Sequence, residues 1–280
     1  MDKQYCGYIS IIGKPNVGKS TIINAILKKK ISITSRKSQT TRNNILGIKT
    51  IKDKQMIFID TPGMHMKSQK TMNKVLNKSA QSIIEDSDIV LFVLQRLSFD
   101  KEDKLILEKL HETNPKAICV INKIDQVDNK NKLLPFIENI SGEYDFEEIL
   151  MISAKNQNGI NNLISIIKKH LPENNHIYDD TFSVIHNDDK FMISELIREK
   201  IIRKLGDELP HDTFVEIDLL EEKKDITEIH ATIYVNRKSQ KQIVIGSKGE
   251  ILKKIGKQAR LEIEEYLNKN KVELIKQYKK

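Results

Sequence analysis

Eight residues near the N-terminus, Gly13-Lys-Pro-Asn-Val-Gly-Lys-Ser20, set two glycines, a lysine and a hydroxyl at offsets suited to gripping a phosphate chain. Gly13 and Gly18 permit backbone torsions, and a close approach, that a side chain would block. The loop running through Lys14, Pro15, Asn16 and Val17 can turn its available N–H groups inward, reinforced by the start of a helix. Lys19 can reach the terminal phosphates, and Ser20 offers a hydroxyl to Mg²⁺.

Three shorter motifs follow in order. Asp60-Thr61-Pro62-Gly63 places a carboxylate for Mg²⁺, directly or through water, and a glycine N–H that can sense a γ-phosphate, with Met64 next. Asn122-Lys123-Ile124-Asp125 ends in a carboxylate with two acceptors. Guanine presents N1–H and a 2-amino group to such a pair, whereas adenine presents no match. Unpaired buried polar groups cost roughly 1–3 kcal/mol each, so a missing partner can discriminate strongly. Ser153-Ala154-Lys155 adds a backbone N–H for the guanine O6. Each motif is weak alone. All four together point to GTP and GDP with Mg²⁺.

These motifs need a frame. Short, continuous, β-branched-rich runs occur at Tyr8–Ile12, Met56–Ile59, Ile89–Leu94, Ala117–Ile121 and Ile149–Ile152, as strands buried on both faces should be. Helical patterns alternate with them, the clearest at Ile160, Leu163, Ile164, Ile167 and Leu171. Such alternation predicts an α/β domain, a mostly parallel sheet with helices on both faces. Each motif falls at the C-terminal end of a strand, where sites in such folds lie. Pro172 ends the last helix. The expected division is a nucleotide domain over 1–172, a polar linker over 173–188 and a second domain over 189–280.

The second domain has another grammar. An amphipathic helix over 190–205 is expected to stop at Gly206. Two alternating strands follow, around Val215–Leu219 and Ile229–Val235. Then come a short helix at Gln240–Ile245, the loop Gly246-Ser247-Lys248-Gly249, a long helix burying Leu252, Ile255, Ala259, Ile263, Tyr266 and Leu267, and a strand from Val272. The order α-β-β-α-α-β describes a small α+β domain. A Gly-x-x-Gly loop between two helices suits a sugar-phosphate backbone. Lys253, Lys254, Lys257 and Arg260 extend its charge.

The net charge is +8. Residues 1–180 hold 27 basic and 21 acidic side chains, and residues 181–280 hold 20 and 18. Within the latter, Arg237 to Arg260 carries eight basic residues and one acidic, so the excess is local and fits nucleic acid or anionic lipid. Cys6 and Cys119 sit in strand-like runs and are expected to be buried, reduced thiols. Without a signal peptide or an apolar run of transmembrane length, a soluble chain is expected.

Taken together, the nucleotide motifs resemble the translation-factor-like class of GTPases. The segments "YCGYISIIGKPNVGKSTIINAIL", "KISITSRKSQTTR", "FMISELIREKI" and "VIGSKGEILKKIG" are similar to the Era family of bacterial GTPases. That resemblance covers almost the whole chain. It implies a P-loop GTPase domain followed by a type II KH domain. It also implies a GTP-gated factor that binds the 3′ region of 16S rRNA and assists 30S subunit assembly. A monomer in the cytoplasm is expected, with peripheral association with the inner face of the cell membrane.

On this resemblance the nucleotide contacts are Gly13 to Ser20, Asp60 to Met64, Asn122 to Asp125 and Ser153 to Lys155. Lys19, Thr41, Asp60 and Gly63 form the catalytic set. Ser20, Thr41 and Asp60 form the metal set, with Thr41 preferred over Thr40 because it precedes Arg42. Gly246 to Gly249 with Lys253, Lys254 and Lys257 form the RNA set. Met64 stands where Ras-like proteins place a catalytic glutamine, so slow turnover is expected, and His65 is read as a loop residue. Asn16 resembles that of GTPases using K⁺ as an extra positive charge. The family usually continues beyond the last strand, whereas this sequence ends at "VELIKQYKK", so reduced RNA affinity or preference is expected. Two other functions fit part of the pattern. One is a KH protein whose nucleotide domain senses but poorly hydrolyses GTP. The other is a membrane-surface signalling GTPase, although no lipidation motif is present.

Overall fold

A computed structural model describes residues 3–30, 45–60, 84–179, 189–205, 213–224, 226–235, 237–269 and 271–279. The chain separates into an N-terminal and a C-terminal compact unit.

The N-terminal unit is built on β1 (Tyr5–Ile12), β2 (Ile45–Ile51), β3 (Lys54–Asp60), β4 (Ile89–Gln95), β5 (Ala117–Asn122) and β6 (Glu148–Met151), in the sheet order β2-β3-β1-β4-β5-β6. β3, β1, β4, β5 and β6 run parallel. The apolar runs of the central strands are buried on both faces, as continuous patterning requires: every residue of β5 is buried, and six of seven in β4. The run expected at Ile149–Ile152 forms the edge strand β6, where Leu150 is buried and Met151 is exposed. The sequence pattern did not predict β2. It is an edge strand, "ILGIKTI", joined antiparallel to β3 through the two-residue turn Lys52-Asp53, with Lys52 at φ 55°.

Helices fill the connections. They are α1 (Lys19–Leu27), α2 (Lys101–Thr113), α3 (Leu133–Ser141) and α4 (Ile160–His170). Of the five residues its spacing marks, α4 buries Ile160, Leu163 and Ile167 and leaves Ile164 half-buried, while Leu171 is buried just beyond its end. Val90, Phe92, Leu94, Ile106, Leu110, Ile121 and Ile140 close one side of the sheet. Phe92 stacks on Phe146 with centroids 6.0 Å apart. Cys6 and Cys119 are buried free thiols, and desolvation pushes both thiols up, so neither is a ready nucleophile.

Residues 173–178, expected to be linker, lie against this unit. Glu173 bridges Tyr5, and Asn174 N donates to Gln4 O at 3.1 Å. The buried Gln55 amide accepts from Ile177 N and Tyr178 N and donates to Tyr178 O, all within 3.0 Å. One side chain thus satisfies three backbone groups of an irregular segment, which is what lets that segment pack.

The C-terminal unit comprises α5 (Asp189–Leu205), β7 (Thr213–Glu222), β8 (Thr227–Val235), α6 (Lys238–Ile245), α7 (Glu250–Leu267) and β9 (Val272–Lys279). The sheet order is β7-β8-β9, with β7 antiparallel and β9 parallel to β8. A parallel neighbour needs a crossover, and α6 and α7 supply it. β7 begins with strict burial alternation, and its inner face meets Ile197, Ile201, Ile255, Ala259 and Ile263. α5 departs from simple amphipathicity. Arg198, Glu199 and Lys200 are buried with the apolar positions. Their charges are paired, Arg198 with Glu195 through two 2.6 Å bonds and Arg203 with Glu199 at 2.5 Å, while Lys200 bonds Glu262. Unpaired, such charges would cost several kcal/mol each.

Phe92 is fully buried. Phe92→Ala is expected to lower the stability of the N-terminal unit by about 3–5 kcal/mol, read as a reduced urea midpoint at constant slope.

Candidate nucleotide site and nucleic-acid interface

The phosphate loop joins β1 to α1, and its shape depends on having no side chain at two positions. Gly13 has φ 145°, and a Cβ there would lie 2.5 Å from Val93 O. Gly18 has φ 106°, and a Cβ there would lie 2.3 Å from Asn122 Nδ2. Asn16 also adopts a left-handed conformation, at φ 66°. Lys19 is buried, its Nζ 3.0 Å from the carbonyl oxygens of both Gly13 and Lys14. α1 starts at Lys19 with no side-chain cap and no acidic residue in its first turn. Its leading amides therefore suit an external anion.

The base-reading loops are tied to this loop by one side chain. Asn122, at the end of β5, is 2% exposed. Its Nδ2 donates to Val17 O at 2.9 Å, and its Oδ1 accepts from Ala154 N at 3.0 Å. Lys123, left-handed at φ 62°, donates to Asn16 O and to Gln95 Oε1, the latter at 2.8 Å. Asp125 is exposed but oriented, its Oδ1 accepting from Ser153 Oγ at 2.6 Å. Ser153 and Asn158 exchange two 3.0 Å backbone bonds that close the Ser153–Lys155 turn. Gly159 follows at φ 80°. The carboxylate left facing solvent is the group that would meet N1–H and the 2-amino group of guanine.

Of the site residues expected from sequence, Gly13 to Ser20, Asn122 to Asp125 and Ser153 to Lys155 converge at the C-terminal edge of the sheet. Asp60 is the last residue of β3, in register with Ile11 at the end of β1. Thr41, Thr61, Pro62, Gly63 and Met64 lie outside the described residues. The side chain of Lys14 does something the motif did not suggest: its ammonium bonds Asp100 and Asp103 at the start of α2. Gln95 was also missed. It follows the predicted strand Ile89–Leu94 directly, so the strand-end rule could have found it. Asp100 and Asp103 carry a capping spacing that marks a helix start but names no partner across the fold.

In the C-terminal unit the Gly246–Gly249 loop sits between α6 and α7. Gly246 has φ 72°, and a Cβ there would press within 2.5 Å of Ile251. Gly249 has φ 78° with nothing within 4 Å of a would-be Cβ. Lys248 between them is left-handed at φ 49°. The turn therefore presents an open backbone edge, at the head of a helix whose Lys253, Lys254, Lys257 and Arg260 are all exposed.

Comparison with known proteins agrees with this geometry. Residues 8–123 match the family described as 50S ribosome-binding GTPase, and residues 208–279 match the KH domain family. The chain is 43% identical over 259 residues to GTPase Era of Pseudomonas putida (strain W619), covering 92% of this chain and 86% of that protein. The values are the same for GTPase Era of Pseudomonas syringae pv. tomato. Among solved structures, Era in complex with MgGDPNP and nucleotides 1506–1542 of 16S ribosomal RNA superposes with a TM-score of 0.91 at 33% identity, covering 98% of this chain and 93% of that one. A point variant of Aquifex aeolicus Era bound to GDP·AlF4⁻ gives the same TM-score at 32% identity, with the same coverage.

Asn122→Ala would leave Val17 O and Ala154 N unpaired. At roughly 1–3 kcal/mol for each buried group, guanine-nucleotide affinity is expected to fall on the order of a hundredfold, measured by equilibrium titration with fluorescent GDP.

Proposed function

This chain belongs to the Era family of GTPases, and on that premise we propose that it is a GTP-driven switch that binds the 3′ region of 16S rRNA and assists 30S subunit assembly. It hydrolyses GTP to GDP and phosphate. The observation that carries the wider proposal is the presence, in one chain, of two preformed glycine loops suited to phosphate. One faces the nucleotide motifs, and the other, Gly246–Gly249, is open beside a basic helix.

The proposed roles follow the geometry. The loop from Gly13 to Gly18 cradles the β- and γ-phosphates by its backbone N–H groups, Pro15 having none to donate, and Lys19 supplies the ammonium. Asn122, Lys123, Ile124 and Asp125, with Ser153, Ala154 and Lys155, read and cover the base. Ser20 at the first turn of α1 and Asp60 at the end of the neighbouring β3 offer hard oxygen donors, a set that fits Mg²⁺, with Thr41 as the third member. When bound, Mg²⁺ neutralises charge building on the transferred phosphoryl group. Gly63 senses the γ-phosphate through its N–H, and Met64 leaves the attacking water without a side chain to orient it, so intrinsic turnover is slow. GTP orders these loops and hydrolysis releases them.

Three finer points belong to the same proposal. Asn16 supports K⁺ as a second cation, in which case turnover at fixed ionic strength is faster in KCl than in NaCl and Asn16→Ala removes the difference. Lys253, Lys254 and Lys257 also suit anionic headgroups at the inner face of the cell membrane, which vesicle flotation would detect. The working form is a monomer, checked by sedimentation.

The open turn makes Gly249→Asp the direct test of RNA binding. Nothing lies within 4 Å of a Cβ at this position, and Asp is among the residues that best tolerate the left-handed φ of 78° there, so a carboxylate is placed where a phosphate would approach. Binding to a 3′-terminal 16S rRNA fragment at fixed salt is expected to fall by at least about tenfold. Unchanged binding would remove the KH loop from the interface.

A further inference from the structure

The phosphate loop carries two lysines in different surroundings. Lys19 Nζ is held by the carbonyls of Gly13 and Lys14. Lys14 reaches α2, where its Nζ lies 2.7 Å from Asp100 Oδ2 and 2.6 Å from Asp103 Oδ2. The Lys14 side chain is 9% exposed and that of Asp103 is 0% exposed.

The same two carboxylates start the helix. Asp100 Oδ1 accepts from Glu102 N at 2.9 Å, and Asp103 Oδ2 accepts from Asp100 N at 3.0 Å. A single oxygen, Asp103 Oδ2, therefore serves both the helix cap and the loop lysine. Asp103 Oδ1 is buried with no hydrogen-bond partner among the described residues, which leaves Lys14 as the cation that offsets the desolvation of this carboxylate. Burial pushes the Asp103 carboxyl up, with Lys14 acting against it. Burial alone would pull Lys14 down, yet the two carboxylates hold it above its ordinary value. α2 is itself fixed, through Ile106, Leu107 and Leu110 in the core.

We propose that Lys14 is a tether and not a phosphate ligand, and that Asp100 and Asp103 are positioning residues that hold the phosphate loop in its nucleotide-binding shape. The connection runs from the core through α2 to Asp103, from Asp103 to the Lys14 side chain, and from the Lys14 carbonyl to Lys19. A loop whose N–H groups converge on one point relaxes if nothing braces it, and a relaxed loop must be reordered when nucleotide binds. Preorganisation through this bridge slows nucleotide loss without touching the base. The inference rests on the GTPase reading above and deepens it.

The test is the dissociation rate of N-methylanthraniloyl-GDP from full-length wild type, Lys14→Met, Asp103→Asn and the double variant, with melting temperatures measured alongside. Each single change is expected to speed release by about the same factor, roughly five- to tenfold, and the double variant by no more than either, as for one coupled network. Lys14→Arg, which keeps a cation, restores most of the wild-type rate. If Lys14 touched phosphate, Lys14→Met would speed release while Asp103→Asn would not, and that result overturns the proposal. So does a fall in melting temperature with release rates unchanged, because the bridge would then be structural alone. Should Asp103→Asn fail to fold, Asp100→Asn replaces it in the same comparison. Failure of the wild type to retain GDP would instead overturn the GTPase reading, and the tether with it.

Discussion

A single buried amide, that of Asn122, holds the nucleotide site together. The phosphate loop and the Ser153–Lys155 turn come from segments far apart in sequence. Asn122 bonds a carbonyl of one and an amide of the other. The Gly18 backbone passes so close to it that a side chain there would collide with Nδ2. This is why a glycine and an asparagine roughly a hundred residues apart form one structural unit. β5 supplies the precision: Ile118, Cys119, Val120 and Ile121 are buried and paired on both edges, which fixes where Asn122 sits. Parallel neighbours then deliver the described nucleotide motifs to the same sheet edge.

The two glycine loops use left-handed backbone for opposite ends. At Gly13 and Gly18 the would-be Cβ is blocked by the fold itself, so glycine is required to let the loop close around phosphate. At Gly249 nothing is nearby, and the missing side chain leaves room for something from outside. Gly246 is of the first kind, packed on Ile251. The proposed RNA clamp thus has one glycine that seats the loop and one that opens it.

The parallel sheet could be read from the sequence because strands buried on both faces leave continuous apolar runs, and the nucleotide motifs because each must follow such a run. β2 could not, since an edge strand that includes Gly47, Lys49 and Thr50 carries neither a continuous nor a cleanly alternating pattern. The charges buried along α5 could not, since a one-dimensional pattern shows amphipathicity but not the partners that let Arg198, Glu199 and Lys200 go inside. Gln55 holding residues 177 and 178 is likewise a tertiary pairing without a local signature. In the site, Asn122 and Asp125 were legible because base chemistry demands them. Asp103 was legible only as a helix cap, and its second duty to Lys14 appears only when β1 and α2 are placed side by side.

If the chain is a switch, its two ligands must be thermodynamically linked, and that linkage is the central claim. The direct measurement is the affinity of the full chain for a 3′-terminal 16S rRNA fragment at one salt concentration, with a non-hydrolysable GTP analogue, with GDP and without nucleotide. Couplings of roughly 1–3 kcal/mol are typical, so the GTP-analogue state is expected to bind RNA at least about fivefold more tightly than the GDP state, and RNA to tighten the analogue by the same factor. Equal RNA affinity in all three states would contradict the account, leaving a GTPase and an RNA-binding domain that share a chain without sharing a function.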